Sequence, residues 1–149
     1  KDLIDRGVPI DGVGHQHHLQ MSSDVNQALK AIDDVDAMFS GIINHITELD
    51  ISVYSDPGEC FSSNENCAAS YGDNLPESVI RDQAQMYRDL FTGFAARPSV
   101  KSVSLWGLTD DTSWLNSYPV ERPNYPLLYD KNRKFKKAFQ AVSDPSFVI

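Results

Sequence analysis

Short runs rich in β-forming residues alternate along this chain with longer patterns that place apolar residues on one side of a helix. The β-rich runs cover residues 8–19, 42–53 and 100–106. The helical patterns cover residues 24–41, 74–97 and 130–142, and their apolar residues recur every three or four positions. This repeated order of strand and helix predicts a parallel sheet wrapped by helices.

Small or polar residues share one face of each predicted strand, because alternate side chains of a strand point the same way. They are Gly12, Gly14, Gln16 and His18 in the first run, Glu48 and Asp50 in the second, and Ser102, Ser104 and Trp106 in the third. The polar side chains lie toward the C-terminal ends of the strands, where barrels and open α/β sheets place their active sites. We therefore expect a functional site at that end of the sheet.

Two carboxylates interrupt the apolar run at residues 42–53. A buried carboxylate is costly unless it is paired, hydrogen-bonded or protonated. One interpretation is a purely structural network, in which Gln16 and His18 satisfy Glu48 and Asp50. The other is that Glu48 is a reacting carboxylate, whose orientation and charge are held by His18, which is itself held by Asp50.

Two tryptophans, Trp106 and Trp114, lie at and just beyond the end of the third predicted strand. Taken singly, a tryptophan is more often part of a core than of a binding surface. Beside acids at strand ends, however, flat apolar rings are typical of surfaces on which sugar rings stack. The acids and the tryptophans together favour a carbohydrate site.

The charge of the chain limits its partners. It has 13 basic and 21 acidic residues and a net charge of −8, so its surface is expected to repel nucleic acid and anionic lipid. No apolar stretch approaches the roughly 20 residues of a membrane span, and residues 1–5 lack the apolar core of a signal peptide. We expect no nucleic-acid or membrane partner, and any export signal to have been removed or to lie elsewhere.

A polar stretch at residues 55–74 is too long for a simple connection, which indicates a functional or a mobile loop. It contains the two cysteines of the chain, Cys60 and Cys67. Their spacing suits a small disulfide in a secreted protein, two free thiols are also compatible with it, and zinc would need more ligands.

Four histidines raise the alternative of a metal protein. His15 and His17 share one strand face, but His18 points the other way, and His45 lies on a different predicted strand. This arrangement does not favour a single metal centre. We expect neither a metal nor another cofactor.

Four strings in the sequence carry a specific resemblance. They are Gly12-Val13-Gly14-His15-Gln16-His17-His18, then His45-Ile46-Thr47-Glu48-Leu49-Asp50-Ile51, then Trp106-Gly107-Leu108-Thr109-Asp110 with Ser113-Trp114, and last Pro126-Leu127-Leu128-Tyr129-Asp130. In this order they resemble the motifs of the sixth, seventh and eighth strands of family 10 glycoside hydrolases, which are retaining endo-β-1,4-xylanases. The resemblance implies a (β/α)8 TIM barrel, of which this chain supplies about the last three β/α units, and cleavage of the xylan backbone by double displacement.

The resemblance also implies a role for individual residues. It gives Glu48 as the nucleophile, His18 as its partner and Asp50 as their support, Gln16 as a contact to the sugar next to the bond being cut, and Trp106 and Trp114 as the lining of that subsite. His15 and His17 depart from the family pattern, so no role is carried over to them. Xylan or xylo-oligosaccharides are the implied ligands, and a secreted location, extracellular or periplasmic, is expected.

Most of the barrel is not represented in these residues, because eight β/α units take roughly 250 residues. We interpret residues 1–149 as the C-terminal portion of a single catalytic domain, with residues 55–74 as a long loop insertion. The family's acid/base glutamate lies in a Trp-Asp-x-x-Asn-Glu string on an earlier strand; Asn64-Glu65 matches only the last two letters and is interpreted as a coincidence. The chain alone is therefore expected to be inactive, with the N-terminal part of the barrel, in the same or a separate chain, as its partner.

Two other functions are compatible with these residues. One is a β-1,4-glucanase of the same fold, since aromatic platforms distinguish xylose from glucose poorly. The other is a non-catalytic carbohydrate-binding fragment, in which Trp106, Trp114 and Tyr118 hold sugar without turnover.

Overall fold

A parallel sheet forms the centre of the computed structural model, which describes residues 1–149. Its strands are β1 (Gly12–His15), β2 (His18–Gln20), β3 (Ile43–Ser52) and β4 (Val100–Leu105). The central strand β3 pairs in parallel with β1 and then β2 along one edge and with β4 along the other. The predicted parallel arrangement is thus confirmed, and β3, which carries both acids, lies in the middle of it.

The three predicted helices follow the strands in the predicted order, and two short helices, one before the first strand and one within residues 55–74, were not predicted. The helices are α1 (Asp2–Asp5), α2 (Val25–Met38), α3 (Gly58–Ser63), α4 (Glu77–Ala95) and α5 (Lys137–Ser143). Asp24 caps α2 by accepting a hydrogen bond from the backbone N–H of Asn26. No helix is both long and apolar enough to cross a membrane.

The last helix begins later than the pattern at residues 130–142 predicts. Asp130 instead starts a tight turn, and its Oδ1 accepts from the backbone N–H groups of Asn132 and Lys134, both at 2.8 Å. Aspartate side chains that bind backbone in this way compete with helix formation. The helix therefore begins only at Lys137.

The first predicted strand, at residues 8–19, is divided in two. His17 separates β1 from β2 with a positive φ of 58°, in the left-handed region that few side chains adopt. The backbone carbonyls of Gln16 and His17 still accept from the N–H groups of Glu48 and Asp50, at 3.2 and 3.4 Å. The break therefore leaves both short strands aligned on β3.

A register shift in β3 alters which of its side chains face the helices. Strict alternation would place Ile46 on the same face as Glu48 and Asp50. The pairing with β4 shifts between Ile46 and Leu49, however, and Ile46 is fully buried in the same core as Leu49. This irregularity, a β-bulge, lets one strand bury its aliphatic side chains and still present its carboxylates on the other face.

The hydrophobic core lies between the sheet and the helices α2, α4 and α5. Its fully buried large side chains include Ile32, Ile46, Leu49, Ile51, Tyr87 and Leu90. The opposite face of the sheet is open, since the side of the sheet that carries Gly12, Gly14, Gln16, Ser102 and Ser104 is exposed. Helices therefore cover one face of the sheet only, as they do in a barrel of alternating strands and helices.

The polar stretch at residues 55–74 is more ordered than a simple loop. It contains α3, and a disulfide joins Cys60 to Cys67. Of the two alternatives left open by the spacing of the cysteines, the structure has the disulfide.

Candidate active site

Glu48 is the most accessible acid of the polar strand face. Its side chain keeps 22% of its surface exposed, whereas that of Asp50 keeps only 1%. Gln16 Nε2 donates to Glu48 Oε1 at 3.4 Å, and His18 Nε2 lies 3.0 Å from Glu48 Oε2. Each carboxylate oxygen of Glu48 thus has one protein partner, and the side chain still reaches solvent.

His18 joins the two acids. Its Nδ1 lies 3.0 Å from Asp50 Oδ1 while its Nε2 faces Glu48. The parallel register of β2 and β3 produces this arrangement, because it sets His18 directly beside Asp50. A doubly protonated imidazole donates to both carboxylates, whereas a neutral ring donates to only one. The triad predicted from the sequence is therefore assembled within hydrogen-bonding distance.

Asp50 is fully buried, and burial raises the pKa of its carboxyl group. Hydrogen bonds from Trp114 and His18 act in the opposite direction and lower this pKa. Trp114 Nε1 donates to Asp50 Oδ2 at 2.8 Å, on the oxygen that His18 leaves free. Both oxygens of Asp50 have partners and its side chain is only 1% exposed, so a substrate reaches Glu48 and not Asp50, and Asp50 is left to orient its neighbours.

The bond between Trp114 and Asp50 was not anticipated from the sequence. Trp114 begins a short 3-10 turn at Trp114–Asn116, whose N-cap, Ser113, accepts from the N–H of Leu115. This turn lies 64 positions from Asp50 in the sequence. No spacing rule connects two such positions, so only the fold reveals that a tryptophan predicted to bind sugar also supports the acids.

Both tryptophan rings pack against the imidazole of His18. The ring centroids of Trp106 and Trp114 lie 6.2 and 5.1 Å from that of His18, in edge-to-face orientations. Trp106 is 48% exposed and Trp114 is 36% exposed. Large exposed apolar rings beside a partly exposed carboxylate form a surface suited to a sugar ring.

The other histidines serve separate contacts. His15 Nε2 lies 2.8 Å from Asn44 Oδ1, and His45 Nδ1 lies 2.6 Å from Ser102 Oγ. His17 Nε2 approaches the backbone carbonyl of Ala28 at 3.3 Å. Burial lowers the pKa of His17, which favours its neutral form. These side chains do not converge with His18 on one centre.

The second half of the Asn64-Glu65 string has no part in the site. Glu65 is exposed in the loop after α3, and its side chain contacts neither His18 nor Gln16, the partners of Glu48. The only grouping of possible metal ligands is Asp56 with Cys60 and Cys67. Both of these cysteines are consumed by the disulfide, which leaves no thiolate for a metal.

The largest cavity lies away from these acids. It has a volume of about 620 Å³ and a mainly polar lining that includes Asp73, Asp110, Glu121, Arg122 and Lys131. A smaller cavity of about 60 Å³ borders His18, Asp50 and Trp114. We place the candidate site at Glu48, because only there do a partly exposed carboxylate, its hydrogen-bonding partners and exposed aromatic rings meet.

Comparison with known proteins connects this geometry to one family. The sequence model of glycosyl hydrolase family 10 matches residues 1–145. The thermostable celloxylanase of Thermoclostridium stercorarium is 40% identical over 98% of this chain, which spans 35% of that relative. The chain thus covers well under half the length of such relatives.

Solved structures agree with this result. Xylanase B from Clostridium stercorarium F9 superimposes with a TM-score of 0.84 and 40% identity over 97% of this chain and 40% of its own. A mutant described in complex with xylotriose superimposes with a TM-score of 0.82 and 34% identity over 96% of this chain and 42% of its own. These relatives are (β/α)8 barrels, so the prediction of a partial TIM barrel is confirmed.

Proposed function

This chain belongs to glycosyl hydrolase family 10, and we propose that residues 1–149 are the C-terminal portion of the catalytic domain of a retaining endo-1,4-β-xylanase. The observation that carries the proposal is the geometry around Glu48. Its oxygens are bound by Gln16 and His18, and His18 is bound in turn by Asp50. A carboxylate held in this way is oriented and ready to attack.

In the proposed mechanism Glu48 is the nucleophile. One of its oxygens attacks the anomeric carbon of a xylose residue, and the bond to the leaving sugar oxygen breaks as a carboxylic acid protonates that oxygen. A water molecule, deprotonated by the same second carboxyl group, then releases the sugar from Glu48 with its original anomeric configuration. His18 is a positioning residue in both steps, since its imidazole directs Glu48 Oε2.

The second carboxyl group has to come from elsewhere. Retaining enzymes need it about 5 to 5.5 Å from the nucleophile, and Asp50 does not meet the need because it is fully buried behind His18 and Trp114, where a sugar oxygen cannot reach it. We propose that the N-terminal part of the barrel supplies the acid/base, in the same chain or a separate one. By this proposal residues 1–149 alone are inactive.

The proposed substrate is the xylan backbone or its oligosaccharides. By this proposal Gln16, which donates to Glu48, also contacts the sugar at the reacting carbon, and the exposed rings of Trp106 and Trp114 bind sugar faces. A neutral polysaccharide also agrees with a net charge of −8, which disfavours anionic ligands.

We propose a secreted location, extracellular or periplasmic. The disulfide between Cys60 and Cys67 supports it, since disulfides persist in oxidising compartments. A polymeric substrate supports it further, because polysaccharides of this size are met outside the cell.

Trapping of the nucleophile tests this proposal. The experiment uses the assembled barrel, meaning residues 1–149 together with the N-terminal part, and a 2-fluoro xylobioside that carries a good leaving group. We expect an adduct on a peptide containing Glu48, and we expect Glu48→Gln to lower xylan hydrolysis by at least about 10³-fold.

The control is Glu65→Gln, which changes an exposed acid outside the site and should leave hydrolysis unchanged. Near-normal xylan hydrolysis by Glu48→Gln would overturn the assignment. Binding of xylan without release of reducing sugar would favour the carbohydrate-binding alternative, and comparable hydrolysis of carboxymethyl cellulose would favour the glucanase alternative.

A further inference from the structure

A row of aromatic side chains leads away from the candidate site toward the 55–74 segment. The ring of Trp114 stacks on that of Tyr118, with centroids 5.3 Å apart and planes 18° apart. Tyr118 in turn contacts Phe61 of α3, with centroids 5.9 Å apart. Tyr118 is 43% exposed and Phe61 is 36% exposed. We call Trp114, Tyr118 and Phe61 the aromatic ridge.

The ridge is continuous with the reacting groups. Its first member donates to Asp50 and packs against His18. Its last member, Phe61, borders the same cavity of about 60 Å³ as His18 and Asp50. The ridge therefore extends the proposed sugar-binding surface from the two acids to α3 without a break in aromatic contact.

Phe61 is held firmly although it lies in a surface segment. Its neighbour Cys60 is fully buried and is joined by the disulfide to Cys67. Asp56, just before α3, accepts from the backbone N–H of Ala68 at 2.9 Å and forms a buried ion pair with Arg122. The segment is therefore tied down on both sides of Phe61, which lowers the entropy lost when a ligand binds.

The surroundings of the ridge select a neutral ligand. Arg122 does not offer its charge, because its guanidinium is buried between Asp56 and the ring of Tyr54. The nearby exposed charges of the segment, Glu59 and Glu65, are acidic and repel uronic acid side chains. Apolar rings without a free cation suit the C–H face of an uncharged pyranose.

We propose that Phe61 and Tyr118 form a further subsite for the polysaccharide, which binds an uncharged backbone sugar ring beyond the one attached to Glu48. This inference rests on the proposed function and extends it by assigning substrate-length preference to α3. By the proposal, long xylo-oligosaccharides gain affinity from the ridge, and substrates too short to reach Phe61 do not.

Kinetics on two substrate lengths test the proposal in the assembled barrel. For Phe61→Ala we expect the KM for xylohexaose to rise about 2- to 10-fold more than the KM for an aryl xylobioside. Phe61→Leu, which keeps the apolar volume but removes the flat ring, should show the same selective loss, and Phe61→Tyr should restore the affinity. Ser62→Ala, on the same helix, is the matched control and should change neither KM.

Each outcome bears on one proposal only. Equal effects of Phe61→Leu on both substrate lengths, or no effect on either, would overturn the subsite while leaving xylan hydrolysis established. A selective effect on arabinosylated or glucuronosylated xylan, with none on xylohexaose, would also overturn it, because the ridge would then bind side chains. If the unaltered barrel hydrolysed neither substrate, the proposed function itself would fail.

Discussion

The indole Nε1 of Trp114 donates to Asp50 Oδ2 at 2.8 Å, opposite the oxygen that binds His18. One exposed aromatic side chain therefore does two things, since it offers a ring to the solvent and satisfies a buried carboxylate. A sugar that displaced this ring would also disturb the acids behind it. The bond couples the binding surface to the orientation of Glu48 through Asp50 and His18.

Replacement of Trp114 by Phe should separate these two effects. The variant keeps an aromatic ring but leaves Asp50 Oδ2 without its donor, at a cost of about 1 to 3 kcal/mol of stability. Because the lost hydrogen bond lowers the pKa of Asp50, that pKa rises and Asp50 takes up a proton at higher pH. We therefore measure kcat of the assembled barrel as a function of pH, and we expect the fall in kcat on the acidic side to begin at a higher pH in the variant. An unchanged onset of this fall would show that the ionisation of Asp50 does not govern catalysis.

Replacement of His18 by Ala should slow the reaction without abolishing it. The lost hydrogen bond to Glu48 Oε2 is worth about 1.5 to 3 kcal/mol for a charged partner, or roughly 10- to 150-fold in kcat. Exogenous imidazole should restore part of the rate, because the cavity left by the side chain lies between two carboxylates. Steady-state kinetics with and without imidazole check this, and full activity without rescue would contradict a positioning role.

The buried pair of Lys136 and Asp110 should make stability depend on pH. Lys136 Nζ lies 3.0 Å from Asp110 Oδ2, and burial raises the pKa of Asp110 from 3.8 to about 6. The folded state therefore holds this proton more tightly than the unfolded state, and the contribution of Asp110 to stability falls as pH rises between about 4 and 6.

In Lys136→Met the carboxylate of Asp110 is left without its cation, so its pKa rises further. We expect a loss of about 3 to 5 kcal/mol at pH 8 and a smaller loss at pH 5, where Asp110 is neutralised by a proton. Urea unfolding of the assembled barrel at both values measures this. Lys131→Met is the control, because its pair with Asp73 is largely exposed to solvent and should contribute little to stability at either pH.

Arg122 should hold the 55–74 segment in place. Its guanidinium pairs with Asp56, donates to the carbonyl of Ala68 at 2.6 Å and lies 3.7 Å from the ring centroid of Tyr54. Arg122→Met leaves the buried carboxylate of Asp56 without its cation, which should lower the free energy of unfolding by about 3 to 5 kcal/mol. We expect faster proteolytic cleavage within residues 55–74, measured by mass spectrometry, and no such change in Arg6→Met, whose pair with Asp2 is exposed.

Gly107 should resist substitution. Its φ of 136° is unfavourable for other residues, and an added Cβ would lie 2.8 Å from Leu127 Cδ1. Gly107→Ala should therefore cost about 1 to 3 kcal/mol and shift the adjacent Trp106. A lower melting temperature together with altered tryptophan fluorescence is the expected observation, whereas an unchanged melting temperature would contradict the argument.

Local patterns in the sequence were sufficient for the order of the elements. The helical stripe of α4 and the β-rich run around Glu48 predict a helix and a strand, because side-chain periodicity reflects which face is buried. The break at His17 and the bulge after Ile46 were not predictable in this way. They depend on how the neighbouring strands pair, and no local propensity records that pairing.

Residue types alone indicate the chemistry available at the ends of the strands: two acids in an apolar run, a histidine and a glutamine in the preceding strand, and two tryptophans beyond the following one. Which of these groups touch depends on the fold. Hydrogen bonds act over about 3 Å, and only the folding of distant segments onto β3 brought Trp114 to Asp50 and joined Phe61 to Trp114 through Tyr118. The candidate catalytic groups can thus be predicted from residue types, but the hydrogen bonds that support them and the extent of the aromatic surface follow from packing alone.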